Sequence, residues 1–237
     1  MFFWLIKRFV SILITPRVAL RNLFFKKPSY KYSNPLNSID FLTPMKNISD
    51  QYTTRFLLPK SVLKNLIFEL KSDKYHKIFK DFNLKNPFVN YVVLYEIRAL
   101  NDSDIDKSIY ANFWHTDDSL NVGSIKIFQL PKSISCENGP MEFINKDDTM
   151  SNWNKLFFRG RFLRHNSQIL KYTDSDKTLF LDPRSCLHRA GVPSKGNKRI
   201  MLMVQIIEKK DTENIDELFS KQYHKEPTPI KFLSYKS

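Results

Sequence analysis

Apolar and polar positions follow two different rhythms along this chain, and the change falls near residue 90. Before it, SVLKNLIFELKSDKYHKIFK (61–80) places Val62, Leu63, Leu66, Ile67 and Leu70, then Tyr75 and Ile78, at helical spacing. The spacing predicts a helix covering a core, with His76 at its surface. At the N-terminus, MFFWLIKRFVSILITP sets Lys7, Ser11 and Thr15 four residues apart in one narrow polar stripe, and Pro16 should stop that helix. Two readings of residues 1–27 stand side by side: an amphipathic segment at a membrane surface, or a helix packed on the core or on a second subunit. Residues 28–59, with Pro28, Pro35, Pro44 and Pro59, read as an irregular connection.

After residue 90 the runs become short, β-branched and aromatic. They are YVVLYEI (91–97), SIYANFW (108–114), SIKIFQL (124–130), MEFI (141–144), TLFLD (178–182) and RIMLMVQII (199–207). Turn-forming stretches separate most of them, and residues 151–175 read as an excursion from the sheet. This predicts a mainly β fold with flanking helices. It divides the chain into an N-terminal amphipathic, helical extension packing on the core (1–89), a β core (90–208) and a C-terminal tail (209–237). The 237 residues suit one domain with such an extension.

Composition narrows the function classes. The formal charge is +14, but Lys7, Arg8, Arg17, Arg21, Lys26, Lys27 and Lys31 all precede Asp40, the first acidic residue. Half of the excess therefore lies in the first 31 residues, and no regular aromatic–basic alternation follows it, which disfavours nucleic acid as the partner. Cys136 and Cys186 are the only cysteines, too few for a disulfide framework, so a reducing, cytoplasmic setting is expected, with membrane contact open at the N-terminus. No apolar run approaches the roughly 18 residues of a spanning helix.

The chemistry concentrates in two places. FWHTDD (113–118) puts His115 and Asp117 two residues apart at a predicted strand end, where both can leave one face towards one ion. LFLDPRSCLHRAGVPSKGNKRIMLMVQI (179–206) supplies His188, a turn, and Arg199 opening the last strand. A hairpin is expected to bring Arg199 back beside His188, where its guanidinium could hold a carboxylate by two hydrogen bonds. Two imidazoles and one carboxylate make a facial triad with three octahedral positions open. Cys186 reads as a packed thiol, Cys136 and His165 as loop residues, and His224 as part of a charged tail.

The order HxD, a distant His, then Arg resembles the phytanoyl-CoA dioxygenase family of Fe(II)/2-oxoglutarate-dependent oxygenases over roughly 90–207. The resemblance rests on Trp114-His115-Thr116-Asp117, Lys126-Ile127-Phe128, Asn138-Gly139-Pro140 and His188-Arg189-Ala190-Gly191 with Arg199. It implies a double-stranded β-helix (jelly roll, cupin-like) core, with His115, Asp117 and His188 as Fe(II) ligands. It also implies Arg199 on the distal carboxylate of 2-oxoglutarate, Asn112 near that cosubstrate, and O2 as the second cosubstrate. The expected outcome is hydroxylation, desaturation or ring closure of a small-molecule or lipid-like substrate, with release of succinate and CO2. Halogenation is disfavoured, because related halogenases lack the carboxylate that Asp117 supplies. Three features depart from the family: Ala190 replaces a small hydroxyl residue, MEFINKDDT (141–149) replaces a proline-glycine-serine-histidine stretch, and residues before 90 match no pattern. The alternatives are a non-catalytic jelly-roll binding protein and a basic peripheral-membrane or nucleic-acid-binding module.

Overall fold

The computed structural model describes residues 28–37, 39, 41, 47–117, 123–152, 160–163 and 166–208. The N-terminal segment 1–27, His165 and the tail carrying His224 lie outside the described residues.

Among the described residues, ten strands form two antiparallel sheets. They are β1 (Tyr30–Ser33), β2 (Asn47–Ser49), β3 (Thr53–Phe56), β4 (Pro87–Arg98), β5 (Ser124–Gln129), β6 (Met141–Phe143), β7 (Leu170–Tyr172), β8 (Thr178–Leu181), β9 (His188–Ala190) and β10 (Lys198–Glu208). The larger sheet runs β1-β8-β5-β10-β4-β3-β2 and the smaller β7-β6-β9. Single bridges pair His115 with His188 and Trp114 with Gly160, so residues 114–115 extend the smaller sheet beyond β9. From β4 onwards the chain crosses repeatedly: β4 in the larger sheet, 114–115 in the smaller, β5 back, β6 and β7 across, β8 back, β9 across, β10 back. Four members in each sheet, traversed this way, make the double-stranded β-helix, a jelly roll.

Two apolar layers hold the sheets. Phe128, Leu179, Leu181 and Met201 of the larger sheet meet Met141, Phe143 and Tyr172 of the smaller one. On the outer face of the larger sheet, Ile125, Ile127, Phe180, Leu202 and Val204 pack under two helices, α1 (Lys60–Leu70) and α2 (Asp73–Asp81). Helix α1 buries Val62, Leu63, Leu66, Ile67 and Leu70, each worth about 1.5–3 kcal/mol. Tyr75 of α2 lies against Phe180 with ring centroids 5.9 Å apart. A third short helix, α3, spans Lys146–Ser151.

Four local expectations are corrected. The helix expected over 61–80 is two helices, because Ser72 takes an extended N-cap conformation (ψ 155°) before Asp73. Residues 28–59 are not merely a connection, since β1 pairs with β8 and β3 with β4, which completes the sheet's flanks. The run 151–175 returns to the sheet as β7. The run 108–114 is not a regular strand: Tyr110 (φ 39°) and Ala111 (φ 63°) adopt left-handed conformations and turn the chain. Among the described residues, no helix is long and apolar enough to cross a membrane.

Candidate metal centre

His115, Asp117 and His188 come together in the structure, their ligand atoms all within 4.8 Å of one another. Each is fixed from a different source. His115 exchanges both backbone hydrogen bonds with His188, at 3.1 and 3.0 Å, which sets the two rings side by side with centroids 4.5 Å apart. Asp117 follows in an irregular segment, its N–H donating to Pro183 O at 2.9 Å. Asp117 Oδ1 lies 3.8 Å from His115 Nε2 and 3.5 Å from His188 Nε2. His115 and His188 are 7% and 4% exposed, so two imidazoles and a carboxylate are held largely away from water.

Both rings face inward with the same nitrogen. His115 Nδ1 is 2.7 Å from Phe113 O, and His188 Nδ1 is 3.0 Å from Cys186 O. A carbonyl only accepts, so each Nδ1 carries a proton and Nε2 is the nitrogen each ring turns towards Asp117. His188 Nε2 is buried without a hydrogen-bond partner. Backbone carbonyls fixing the outer nitrogen while the inner one waits for an ion is the usual support of metal-binding histidines. Burial, then the neighbouring His188, lowers the His115 pKa to about 3, keeping the ring neutral. Burial alone would raise the Asp117 pKa, but Lys126 and His188 overcome it and hold the carboxyl below its ordinary range. The donor set of two imidazole nitrogens and one carboxylate oxygen fits a divalent transition metal with open positions.

Arg199 is 1% exposed. Its Nη1 donates to Gly139 O and, at 3.4 Å, to Gly191 O, whereas Nε and Nη2 have no hydrogen-bond partner. Burial lowers its pKa, and no carboxylate among the described residues pairs with it directly. A buried guanidinium whose side-chain neighbour is the Tyr95 hydroxyl and not a carboxylate is suited to an incoming carboxylate. The expected placement needs correction, though. β10 pairs with β4 and β5 in the larger sheet, whereas His188 sits on β9 in the smaller one. Arg199 therefore reaches the Gly139 and Gly191 carbonyls from the opposite sheet, not from a strand beside His188.

Asn112 is buried and spends its amide locally, accepting from Ile109 N at 2.9 Å and donating to Lys107 O at 3.0 Å. It shapes the left-handed turn ahead of the triad, and with Ala190 and Gly191 it lines a cleft of about 220 Å3. Cys186 packs between the sheets, Cys136 is exposed and His76 lies on the surface.

Two site residues were not foreseen as such. Lys126 Nζ lies 2.7 Å from Asp117 Oδ2. Its one mark in the sequence is a lysine interrupting the apolar strand SIKIFQ, which does not say which face the side chain takes. Asp182, wholly buried, accepts from Ser185 Oγ at 2.7 Å and Arg184 N at 3.2 Å, so it organises the turn leading to His188. Its signal is the Asp-Pro pair, a turn initiator.

The sequence matches no protein-family model and no curated protein. Among solved structures, the chain is similar to HygX from Streptomyces hygroscopicus with nickel and 2-oxoglutarate bound, at 12% identity over 81% of this chain and 87% of that one (TM-score 0.49). It is also similar to AviO1 from Streptomyces viridochromogenes, at 11% identity over 82% and 96% (TM-score 0.48). A third neighbour is the non-heme alpha-ketoglutarate-dependent epimerase SnoN from nogalamycin biosynthesis, at 10% identity over 81% and 84% (TM-score 0.44). At such identities the chemistry of this chain is read from its own residues.

Proposed function

We propose that this chain is an Fe(II)/2-oxoglutarate-dependent oxygenase similar to the phytanoyl-CoA dioxygenase family, most simply a hydroxylase of a small-molecule substrate. One observation carries the reading: two inward-facing imidazole nitrogens and a carboxylate converge within 4.8 Å, and the same jelly-roll core buries an Arg199 that lacks a carboxylate partner. His115, Asp117 and His188 would hold the metal, and Arg199 the distal carboxylate of 2-oxoglutarate. Bound iron supplies activation of O2 at the expense of 2-oxoglutarate. The chain's own part is to fix the ring nitrogens through the Phe113 and Cys186 carbonyls, to exclude water by burial, and to orient the cosubstrate through Arg199. Asp117 fills the carboxylate position, which supports hydroxylation or a related hydrogen-abstraction outcome over halogenation. Asn112, its amide engaged within its own loop, would line the cleft near the cosubstrate.

The test is anaerobic absorption spectroscopy of the metal-free protein with Fe(II) and then 2-oxoglutarate. A weak visible charge-transfer band is expected, absent in Asp117→Ala and weakened in Arg199→Ala. Folded, iron-loaded protein without the band would instead support a non-catalytic jelly-roll binding protein.

A lipid-like substrate gains support if the basic, apolar segment 1–27 binds membrane surfaces. On that reading the intact protein co-sediments with anionic vesicles at low salt and Lys7→Glu/Arg8→Glu does not. Equal recovery of both in the supernatant would remove the main support for a lipid-like substrate.

A further inference from the structure

Strand alternation in β5 sends Ile125 and Ile127 under the helices and Phe128 between the sheets, and Lys126 leaves on the inner side with Phe128. A lysine there is unexpected, since that layer is otherwise apolar at Leu179, Leu181 and Met201. Its side chain is 12% exposed, and Nζ reaches Asp117 Oδ2 at 2.7 Å, while Oδ1 of the same carboxylate faces His115 and His188. The two carboxylate oxygens are thus divided between an ammonium and the imidazole pair.

We propose that Lys126 is a built-in counter-ion of the triad, lowering its affinity for the metal and raising the loaded centre's affinity for an anionic cosubstrate. The inference rests on the metal-centre reading above. In the form that binds a metal, both imidazoles are neutral, so the triad carries one negative charge, and Lys126 cancels it. In the metal-free protein the ammonium supplies the counter-charge of a half-buried carboxylate. When a divalent ion arrives, that ammonium becomes a like charge a few ångströms away in a poorly screened interior and opposes binding. The loaded centre is in turn one unit more positive, which favours a chelating dianion such as 2-oxoglutarate. A residue that merely positioned Asp117 would support both steps, and its loss would weaken both. A counter-ion shifts the two affinities in opposite directions.

The experiment is anaerobic titration of the full chain and its Lys126→Met, Lys126→Gln and Lys126→Arg variants with Co(II), then of the Co(II)-loaded proteins with 2-oxoglutarate. Circular dichroism identifies which variants are folded. Expected for Lys126→Met and Lys126→Gln is Co(II) affinity raised about tenfold or more and 2-oxoglutarate affinity lowered by a similar factor, with Lys126→Arg close to the native chain. Co(II) affinity unchanged or lowered in both uncharged variants would overturn the proposal, as would unchanged 2-oxoglutarate affinity. If the native chain binds no Co(II), the oxygenase reading itself fails, an outcome distinct from the other two.

Discussion

Asp117 shows how much a single residue here owes to its surroundings. Burial would press its carboxyl towards the neutral form, yet Lys126 and His188 keep it ionised, while its backbone N–H is tied to Pro183. His115 is the complementary case. Its pKa falls from 6.5 to about 3, first because the ring is buried and then because His188 is adjacent. The folded protein therefore refuses a proton that the unfolded chain accepts. This contribution to stability is complete above about pH 6.5 and is lost as pH falls towards 3, at up to about 1.4 kcal/mol per pH unit. Metal-free protein should show a falling urea midpoint from pH 7 to pH 5, with a shallower fall in His115→Gln. A flat native profile over that interval would contradict the burial argument. From sequence, the identity of these residues was legible in the HxD pair and the later His-Arg spacing, whereas the ion pair from Lys126 was not. A lysine within a strand carries no mark of the face it occupies until pairing is known.

At the scale of elements, the site depends on a crossing of two backbones. Gly139 (φ 62°) and Gly191 meet so closely that a Cβ on Gly191 would strike the Pro140 carbonyl. That approach brings the Gly139 and Gly191 carbonyls to Arg199 Nη1. Gly191→Ala should cost about 1–3 kcal/mol in urea unfolding, because the obstacle is backbone and cannot rotate away. On the proposed function, it should also weaken 2-oxoglutarate binding by displacing Arg199. Unchanged stability would show that the crossing relaxes freely. Helical and strand periodicities were readable for α1, β4, β5, β8 and β10, where long apolar patterns face a core on one or both sides. The break at Ser72 and the turn at Tyr110-Ala111 were not, since a single N-cap or left-handed residue interrupts a pattern without altering its apolar content.

Across the whole molecule, the three triad residues come from segments about 70 positions apart, joined only by the jelly roll's repeated crossings between sheets. A metal bound there ties those segments together in the folded state alone. Free metal at 100 times its dissociation constant should add about 2.7 kcal/mol to stability and raise the thermal midpoint by several degrees, reversed by a chelator. The same shift in His188→Ala would place the stabilising ion elsewhere.

What the chain alone determined is local: the residue types able to bind a metal and a carboxylate, the strand-forming runs of the core, and the apolar face of α1. Each follows from side-chain chemistry or short-range periodicity. Only the tertiary structure decided that Arg199 lies in the opposite sheet from His188 and bonds the Gly139 and Gly191 carbonyls, that β1 and β3 complete the larger sheet, and that Lys126 pairs with Asp117. Those depend on which strands become neighbours. Neighbours are chosen by the burial of all the apolar faces at once, a property that no single segment of the sequence contains.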